Sequence, residues 1–511
     1  RKGRKAENPK ISFRQLTLGA PHRTGGNLVT EKPNILLITT DQQRFDTAGD
    51  TAPSFMRTPH FDILTREGVT FTSAYADCPI CVPSRVSIMT GKYVTTHGMR
   101  YIGQTSKVMG RHDTLPAYLR ELGYQTAAIG KMHFGPERVR HGFDEMILPA
   151  DYYLQMSRSG LPYQPMRHGL GQNELYPTMA TVPETLTLTS WISEQCVDYI
   201  LHRRDPSVPF FLWCSYTKPH PPLDPPEPYY SMYRQCDIPE PFVGEWAVGD
   251  ECPVAFERFR QSWSLDLIPP EVIREARAAY YGLITQIDYN MGRIFSALQD
   301  LGLFDDTLII FTSDHGEFLG DHRTGGKVFF YEPSAHVPFV LRMPKSWDRR
   351  MHGTKVSTPI TLADILPTLV KAAGGKIPRG VDGIDLIALA RGEIQEPRRY
   401  IEATADREPS YFAITDGIWK YIWYPEGGQE QLFNLKEDPY ELTNLAKRQE
   451  YREKCEELHR ELVKRDQQRG GKYSDGKRLI TRPLRGDSER DRRNSGWPGF
   501  HTEHYPVDVR H

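Results

Sequence analysis

Residues 34–40, Asn-Ile-Leu-Leu-Ile-Thr-Thr, form a nearly continuous apolar and β-branched run. That is the pattern of a strand buried on both faces. The run ends directly in Asp41-Gln42-Gln43, and the same arrangement recurs three times. Residues 126–130 lead into Lys131-Met132-His133, residues 209–215 into Lys218-Pro219-His220, and residues 307–313 into Asp314-His315-Gly316. A single strand ending in Asp is often only a capped turn. Four such ends predict a shared site, because ligands of open α/β sheets bind outside the carboxyl ends of the strands.

Helical patterns fill the intervals. Residues 115–122 are amphipathic and stop at Gly123. Pro269 and Pro270 precede a long helix whose apolar face runs through Tyr280, Ile284, Ile287, Met291 and Ile294 and which ends near Gly302. The alternation predicts an α/β fold with a large, mixed, mostly parallel sheet flanked by helices. Residues 149–183 and 219–270 are rich in Pro and aromatic residues without strong periodicity; segments this long read as binding loops, with surface decoration as the alternative. Beyond residue 341 the pattern changes. A helix is expected over 361–373, ending at Gly374-Gly375, then short strands over 400–402, 411–415, 419–424 and 431–434. They predict a small antiparallel sheet, followed by a charged amphipathic helix over 444–469. The expected organisation is an N-terminal arm or leader at 1–32, a main domain at 33–390, and a C-terminal subdomain with its tail at 391–511.

Composition narrows the function classes. With 511 residues, 39% hydrophobic and 25% charged, the chain reads as a soluble globular protein. A net charge of -1 argues against a general polyanion trap, so any attraction for an anionic substrate must be local. The eight basic residues of the arm are interspersed with apolar ones, a weak signal for nucleic-acid binding, and no nucleic-acid partner is expected. Seven cysteines are too few for a disulfide scaffold. No apolar run reaches membrane-spanning length. The chain begins at Arg1 without an initiator Met, which fits a removed leader and a periplasmic or secreted protein, or otherwise a trimmed cytoplasmic one.

One stretch carries the most chemistry: residues 78–93, from Cys78 to Tyr93. Pro83 suits the first turn of a helix and Gly91 its left-handed exit. Cys81 is expected just outside that helix's N-terminus, where free N–H groups and the macrodipole favour an anion, with Arg85 one turn on leaning back to the same point. Cys81-Val82-Pro83-Ser84-Arg85, followed by Met89-Thr90-Gly91, resembles the signature of type I sulfatases in the alkaline phosphatase superfamily. The resemblance extends from Pro33 to about Ala446, including Thr58-Pro59, Gly142-Phe143-Asp144 and the Asp438-Pro439 segment. It implies an alkaline phosphatase-like fold and a Cys81 oxidised by a maturation enzyme to formylglycine, whose hydrated aldehyde is the nucleophile. The alternative readings of Cys78 and Cys81 are a redox pair or half a zinc site; the chain has no second C-x-x-C.

The resemblance also assigns roles. Asp41, Gln42, Asp314 and His315 match metal-ligand positions, together with the modified Cys81. Gln42 stands where many sulfatases have a second Asp, and His315 where many have Asn. Ca²⁺ is the expected cation, with Mg²⁺ and Mn²⁺ harder to exclude after these two changes; a helix cap is the plainer reading of Asp314-His315. Lys131 and Lys327 would bind the sulfate oxygens, His133 would act as base on the second hydroxyl, and His220 with Lys327 would support the leaving oxygen, while Arg85 and the metal stabilise the developing charge. The expected reaction is hydrolysis of a sulfuric ester, most readily of a sulfated carbohydrate, with a phosphonate monoester or phosphodiester hydrolase as the rival. Arg100, Tyr101, His322 and Arg323 are expected at the rim of the pocket, as charged and aromatic contacts to a sugar. The loops around Tyr163 and Tyr229 would narrow its entrance.

Overall fold

A computed structural model describes residues 32–347, 349–405, 410–486 and 498–499. The expectation for an arm at 1–32 and most of the tail lie outside these residues. From Pro33 onward the chain forms one compact unit. Its centre is an eight-stranded sheet built from β1 (Asn34–Asp41), β2 (Val69–Phe71), β3 (Gln125–Gly130), β4 (Glu145–Ile147), β5 (Phe210–Pro219), β6 (Thr307–Ser313), β7 (Phe339–Arg342) and β8 (Thr354–Val356). The spatial order is β4-β3-β5-β1-β6-β7-β2-β8. Only β7 runs antiparallel to its neighbours, β6 and β2.

The apolar run of β1 explains its central place. Ile35 and Leu37 enter one core with Val82, Val86, Met89 and Leu366, while Leu36 and Ile38 enter another with Ile192, Ile287 and Met291. Side chains alternate across a strand, so a run apolar at every position is satisfied only between two helical layers. Each fully buried aliphatic side chain contributes about 1.5–3 kcal/mol. The helix Cys81–Thr90 supplies the first layer, and the helices Leu188–Asp198 and Pro270–Asp300 supply the second. Among the described residues, no helix is long and apolar enough to cross a membrane.

The four expected strands are adjacent, as β3-β5-β1-β6, and parallel, so their carboxyl ends meet along one edge. The close pairing of β3 with β5 admits only glycine at position 130: its φ is +101°, and a Cβ there would lie 1.9 Å from the Ser215 carbonyl oxygen. That constraint delivers Lys131 beside Ser215, whose carbonyl accepts the Lys131 backbone N–H at 2.9 Å.

The second sheet is antiparallel, with β9 (Ile401–Ala405), β10 (Tyr411–Thr415), β11 (Trp419–Tyr424) and β12 (Gln429–Asn434) in order. One face packs with Tyr75, Cys78, Ile80, Trp246 and Tyr331, and the other under the helix Arg452–Gln468. Two helix expectations are shortened. Thr361 lies in a short strand, and the helix spans only Ile365–Ala372 because Thr361 and Asp364 cap a preceding turn reciprocally. Residues 444–451 precede the last helix, since the Asn444 side chain accepts from the Leu432 and Ala446 amides instead of entering it.

A buried ion triad ties the second sheet to the segment between β6 and β7. Lys420 of β11, fully buried, lies 2.7 Å from Glu332 and 2.8 Å from Glu441. Replacing Lys420 by Met keeps the packing and leaves two buried carboxylates without a cation. We expect a loss of about 3–5 kcal/mol in denaturant unfolding. Burial already pushes Glu441 up to about 7 in the parent. Glu332, which burial would raise, is held down to about 2, chiefly by Lys420; without Lys420 both carboxyls rise, so the folded variant holds protons that the unfolded chain releases. Its penalty should therefore be larger at about pH 8 than at about pH 5.

Candidate active site

Cys81 is the first residue of its helix, one position further in than expected, and is preceded by the extended Ile80. Gly91 ends the helix in the left-handed region at φ +64°. Around Cys81 converge Asp41 from β1 and Asp314 and His315 from the end of β6. One ligand atom of each lies within 4.8 Å of the others, and all four residues are buried. The Cys81 Sγ is 3.2 Å from His315 Nε2 and 3.8 Å from Asp41 Oδ1. His315 Nδ1 is 2.9 Å from the Gly316 carbonyl, which can only accept, so Nδ1 carries a proton and Nε2 faces the cluster; burial would lower this imidazole, but Asp314 and Cys81 push it up.

A ring of cations balances these groups. Arg85 donates from Nε to Asp314 Oδ2 at 3.0 Å, and its Nη2 lies 3.6 Å from Asp41 Oδ2. Its Nη1 donates to Ser215 Oγ at 2.9 Å and to the Lys131 carbonyl. Lys131 Nζ contacts Asp41. Lys327 Nζ contacts Gln42 Oε1 and lies 3.0 Å from His220 Nε2. Burial pushes the Cys81 thiol up, as does Asp41, yet Lys327, Lys131 and His315 together hold it well below its ordinary value. Burial would also raise Asp41, but Lys131 above all, with His315 and Arg85, holds it well below the usual carboxylate range. Burial and the neighbouring lysines, Lys327 and Lys131, push His220 down. A neutral His220 fits its contacts: Nδ1 lies 2.8 Å from the Pro221 carbonyl, leaving Nε2 to accept from Lys327.

Gln42 is held from four directions. Its N–H donates to Asp314 Oδ1 at 3.1 Å, its carbonyl accepts from Tyr280 at 2.5 Å, its Nε2 meets Glu317, and its Oε1 meets Lys327. The backbone there is left-handed, at φ +72°. Two carboxylates and an imidazole nitrogen beside residue 81 form a donor set that could hold a divalent cation.

Lys131, His133 and His220 connect this cluster to a cavity of about 640 Å³. Its walls come from residues 149–189, from the end of β5 and the loop after it, and from the helix Pro270–Asp300, with Tyr152, Tyr153, Met166, Gln172, Thr181 and Gln286 among them. The buried Nδ1 of His133 has no hydrogen-bond partner among the described residues.

Over residues 33–375 the chain matches the family model described as Sulfatase, and over residues 320–468 the one described as N-sulphoglucosamine sulphohydrolase, C-terminal. The chain belongs to the sulfatase family. It is 35% identical to an arylsulfatase of Clostridium perfringens (strain 13 / Type A), over 88% of this chain and 97% of that protein. The multifunctional alkaline phosphatase superfamily protein PehA of Trinickia caryophylli is 31% identical, over 81% of this chain and 91% of its own. Among solved structures, the phosphonate monoester hydrolase of Agrobacterium radiobacter superposes with a TM-score of 0.73 at 26% identity, covering 88% of this chain and 100% of that one. The fold is alkaline phosphatase-like, and the enzyme is a sulfatase.

In this sulfatase none of the seven cysteines is joined in a disulfide. Cys78 Sγ faces the Arg100 carbonyl at 3.5 Å, away from the cluster around Cys81. The expected rim residues are the main correction, since none of the four lines the cavity. His322 is fully buried, its ring tilted against Trp246 at 4.9 Å and accepting the Gly244 N–H at 3.1 Å. Arg100 is drawn to Tyr473, donating to its hydroxyl at 3.3 Å, and Tyr101 packs against the core beneath β9–β12. Arg323 faces Asp266 at 3.8 Å and borders a separate, smaller cavity. The Tyr163 and Tyr229 side chains do not line the main cavity, although Pro165, Met166 and Asp224 of their loops do; Tyr229 packs against Gly282 and Tyr289. Nearness in sequence to Lys327 misled the reading of His322 and Arg323, because the loop after β6 turns them outward from the site.

Sequence reasoning missed Glu317 and Ser215, both beneath the site. Their signal was present: Ser215 ends a predicted strand, and Glu317 follows Asp314 by one short turn. It also missed the helix Pro149–Arg158, whose Tyr152, Tyr153 and Leu154 wall the cavity. His322→Ala tests the correction. It should cost about 2–4 kcal/mol in unfolding free energy through lost packing, with KM unchanged within about twofold.

Proposed function

We propose that this sulfatase releases inorganic sulfate from a sulfated mono- or short oligosaccharide, with residue 81 acting after its conversion to formylglycine by a maturation enzyme. The observation that carries the reading is the convergence of Cys81, Asp41, Asp314 and His315 in one buried cluster beneath the cavity. Asp41, Gln42, Asp314, His315 and residue 81 would hold one divalent cation, Ca²⁺ by preference for this oxygen-rich set, which when bound would neutralise charge and polarise an oxygen of the ester.

The remaining work falls to the chain's own residues. Lys131 and Arg85 bring positive charge to where the sulfate oxygens gather it. Lys327, paired with His220, faces the departing alcohol oxygen and supplies a hydrogen bond as it becomes anionic. His133 has a free ring nitrogen with which to take a proton during release of the product. Buried cations and anions are pre-assembled, so little reorganisation is needed as charge develops.

The cavity supports a sugar. Tyr152 and Tyr153 can cover the C–H face of a pyranose, while Gln172, Thr181, Thr217 and Gln286 offer partners to its hydroxyls. A second reading, cleavage of phosphonate monoesters, draws on the likeness to the Agrobacterium enzyme and to PehA.

A panel of sulfated saccharides, aryl sulfates and phosphonate monoesters separates the two. We expect kcat/KM for the best sulfate to exceed that for any phosphonate by at least about tenfold, a difference of about 1.4 kcal/mol; faster phosphonate turnover would replace the first reading by the second. For the cation, added Ca²⁺ should raise the melting temperature of the parent, and Asp314→Asn should remove that rise and lower kcat by more than about 100-fold. An undiminished thermal response in this variant would contradict the ligand set.

A further inference from the structure

Glu317 lies beneath the site, 2% exposed, and touches none of the groups assigned to the chemistry except Gln42. Its Oε1 accepts the Leu319 N–H at 2.9 Å and also the Gly326 N–H. Its Oε2 meets Gln42 Nε2. On the other side of the same amide, Gln42 Oε1 meets the Lys327 ammonium. An ammonium can only donate, so the amide oxygen must face Lys327 and the amide nitrogen must face Glu317. Lys327 in turn meets His220 Nε2 at 3.0 Å, and His220 Nδ1 meets the Pro221 carbonyl at 2.8 Å. The result is a single directed chain of hydrogen bonds: Glu317, Gln42, Lys327, His220, Pro221. Each link has its donor and acceptor settled by its neighbours.

We propose that Glu317 is a positioning residue for the leaving-group side of the reaction: by fixing which way the Gln42 amide points, it holds Lys327 in place and thereby orients His220. The proposal rests on the reading above in which Lys327 and His220 attend the departing oxygen. It accounts for two features together. Gln42 carries an amide, which can bridge a carboxylate and an ammonium; an aspartate there would set two carboxylates against each other. Glu317 also gathers two N–H groups from the loop that carries Lys327, so the loop and the amide share one anchor.

The test exchanges the pair isosterically and varies the leaving group. In Glu317→Gln, the new amide oxygen keeps the Leu319 and Gly326 contacts, and its nitrogen faces Gln42. The Gln42 amide must then turn its oxygen to that nitrogen and present its own nitrogen to Lys327. For an alkyl or sugar sulfate, whose leaving oxygen needs help, kcat should fall on the order of 100-fold. For 4-nitrophenyl sulfate, whose leaving group needs little, it should fall less than about fivefold. A Ca²⁺-induced rise in melting temperature should persist through Asp41, Asp314 and His315 even with the Gln42 oxygen turned away, which separates this loss from loss of the cation. Gln42→Glu alone sets two carboxylates face to face and should be impaired. The double variant Gln42→Glu with Glu317→Gln restores a donor opposite an acceptor at every link and should recover most of the lost rate on the poor leaving group.

Equal losses on both substrates, or a double variant no better than its parents, would overturn the proposal. Should Glu317→Gln fail to fold, the exchanged pair decides: recovery of folding and of the parental leaving-group dependence supports it, and their absence overturns it. Lys327→Ala serves as the reference. If it shows no leaving-group dependence, the underlying reading of Lys327 fails. If it does and Glu317→Gln does not, only the role of Glu317 is lost.

Discussion

The structure depends on keeping several opposite charges together without water. Asp41, Asp314 and Cys81 are nearly or wholly buried, and Arg85 is buried with them. An isolated ion in such a place costs several kcal/mol, so none of these groups is tolerable alone. Arg85 illustrates the solution. Its guanidinium spans Asp314, Asp41, Ser215 and the Lys131 carbonyl, touching the ends of four strands from one side chain. The cluster is therefore a structural joint as well as the proposed reaction centre, and the charges that would stabilise a departing sulfate are already required by the fold.

The sheet makes this assembly inexpensive to position. Four parallel strands stop at one edge because their apolar runs are of similar length and lie in neighbouring registers. Tight pairing at Gly130 then sets Lys131, and the left-handed Gln42 turns the chain back under Lys327. The second sheet reaches the same region indirectly, by the Lys420 triad and by the aromatic stack of Trp246, His322 and Tyr331. Its contribution is to brace the loop after β6, which carries Glu317 and Lys327.

Much of the site was legible in the sequence because its residues stand at strand ends, where local pattern and position in the fold coincide. Asp41, Lys131, His220 and Asp314 each follow an apolar run, and the helix of Cys81 carries its own start and stop residues. The antiparallel strands were equally visible as short strand-like runs divided by turn residues. The cavity walls were not, since Tyr152, Met166 and Gln172 lie in a stretch whose Pro and aromatic content hides a helix of ten residues. His322 shows a different limit. A histidine five residues before Lys327 has no sequence mark of burial, and only the packing against Trp246 and Tyr331 decides its place. Glu317 was overlooked because a carboxylate that acts through an amide leaves no motif of its own.

The account turns on residue 81 as the reacting group at the centre of the charge cluster. Preparations made with different degrees of conversion of Cys81, each quantified by peptide mass spectrometry, would be assayed on one sulfate ester under saturating conditions. Turnover should rise in proportion to the fraction carrying the aldehyde and extrapolate to zero for protein with unmodified cysteine. Turnover independent of that fraction would contradict the assignment of residue 81 and, with it, the mechanism built around it.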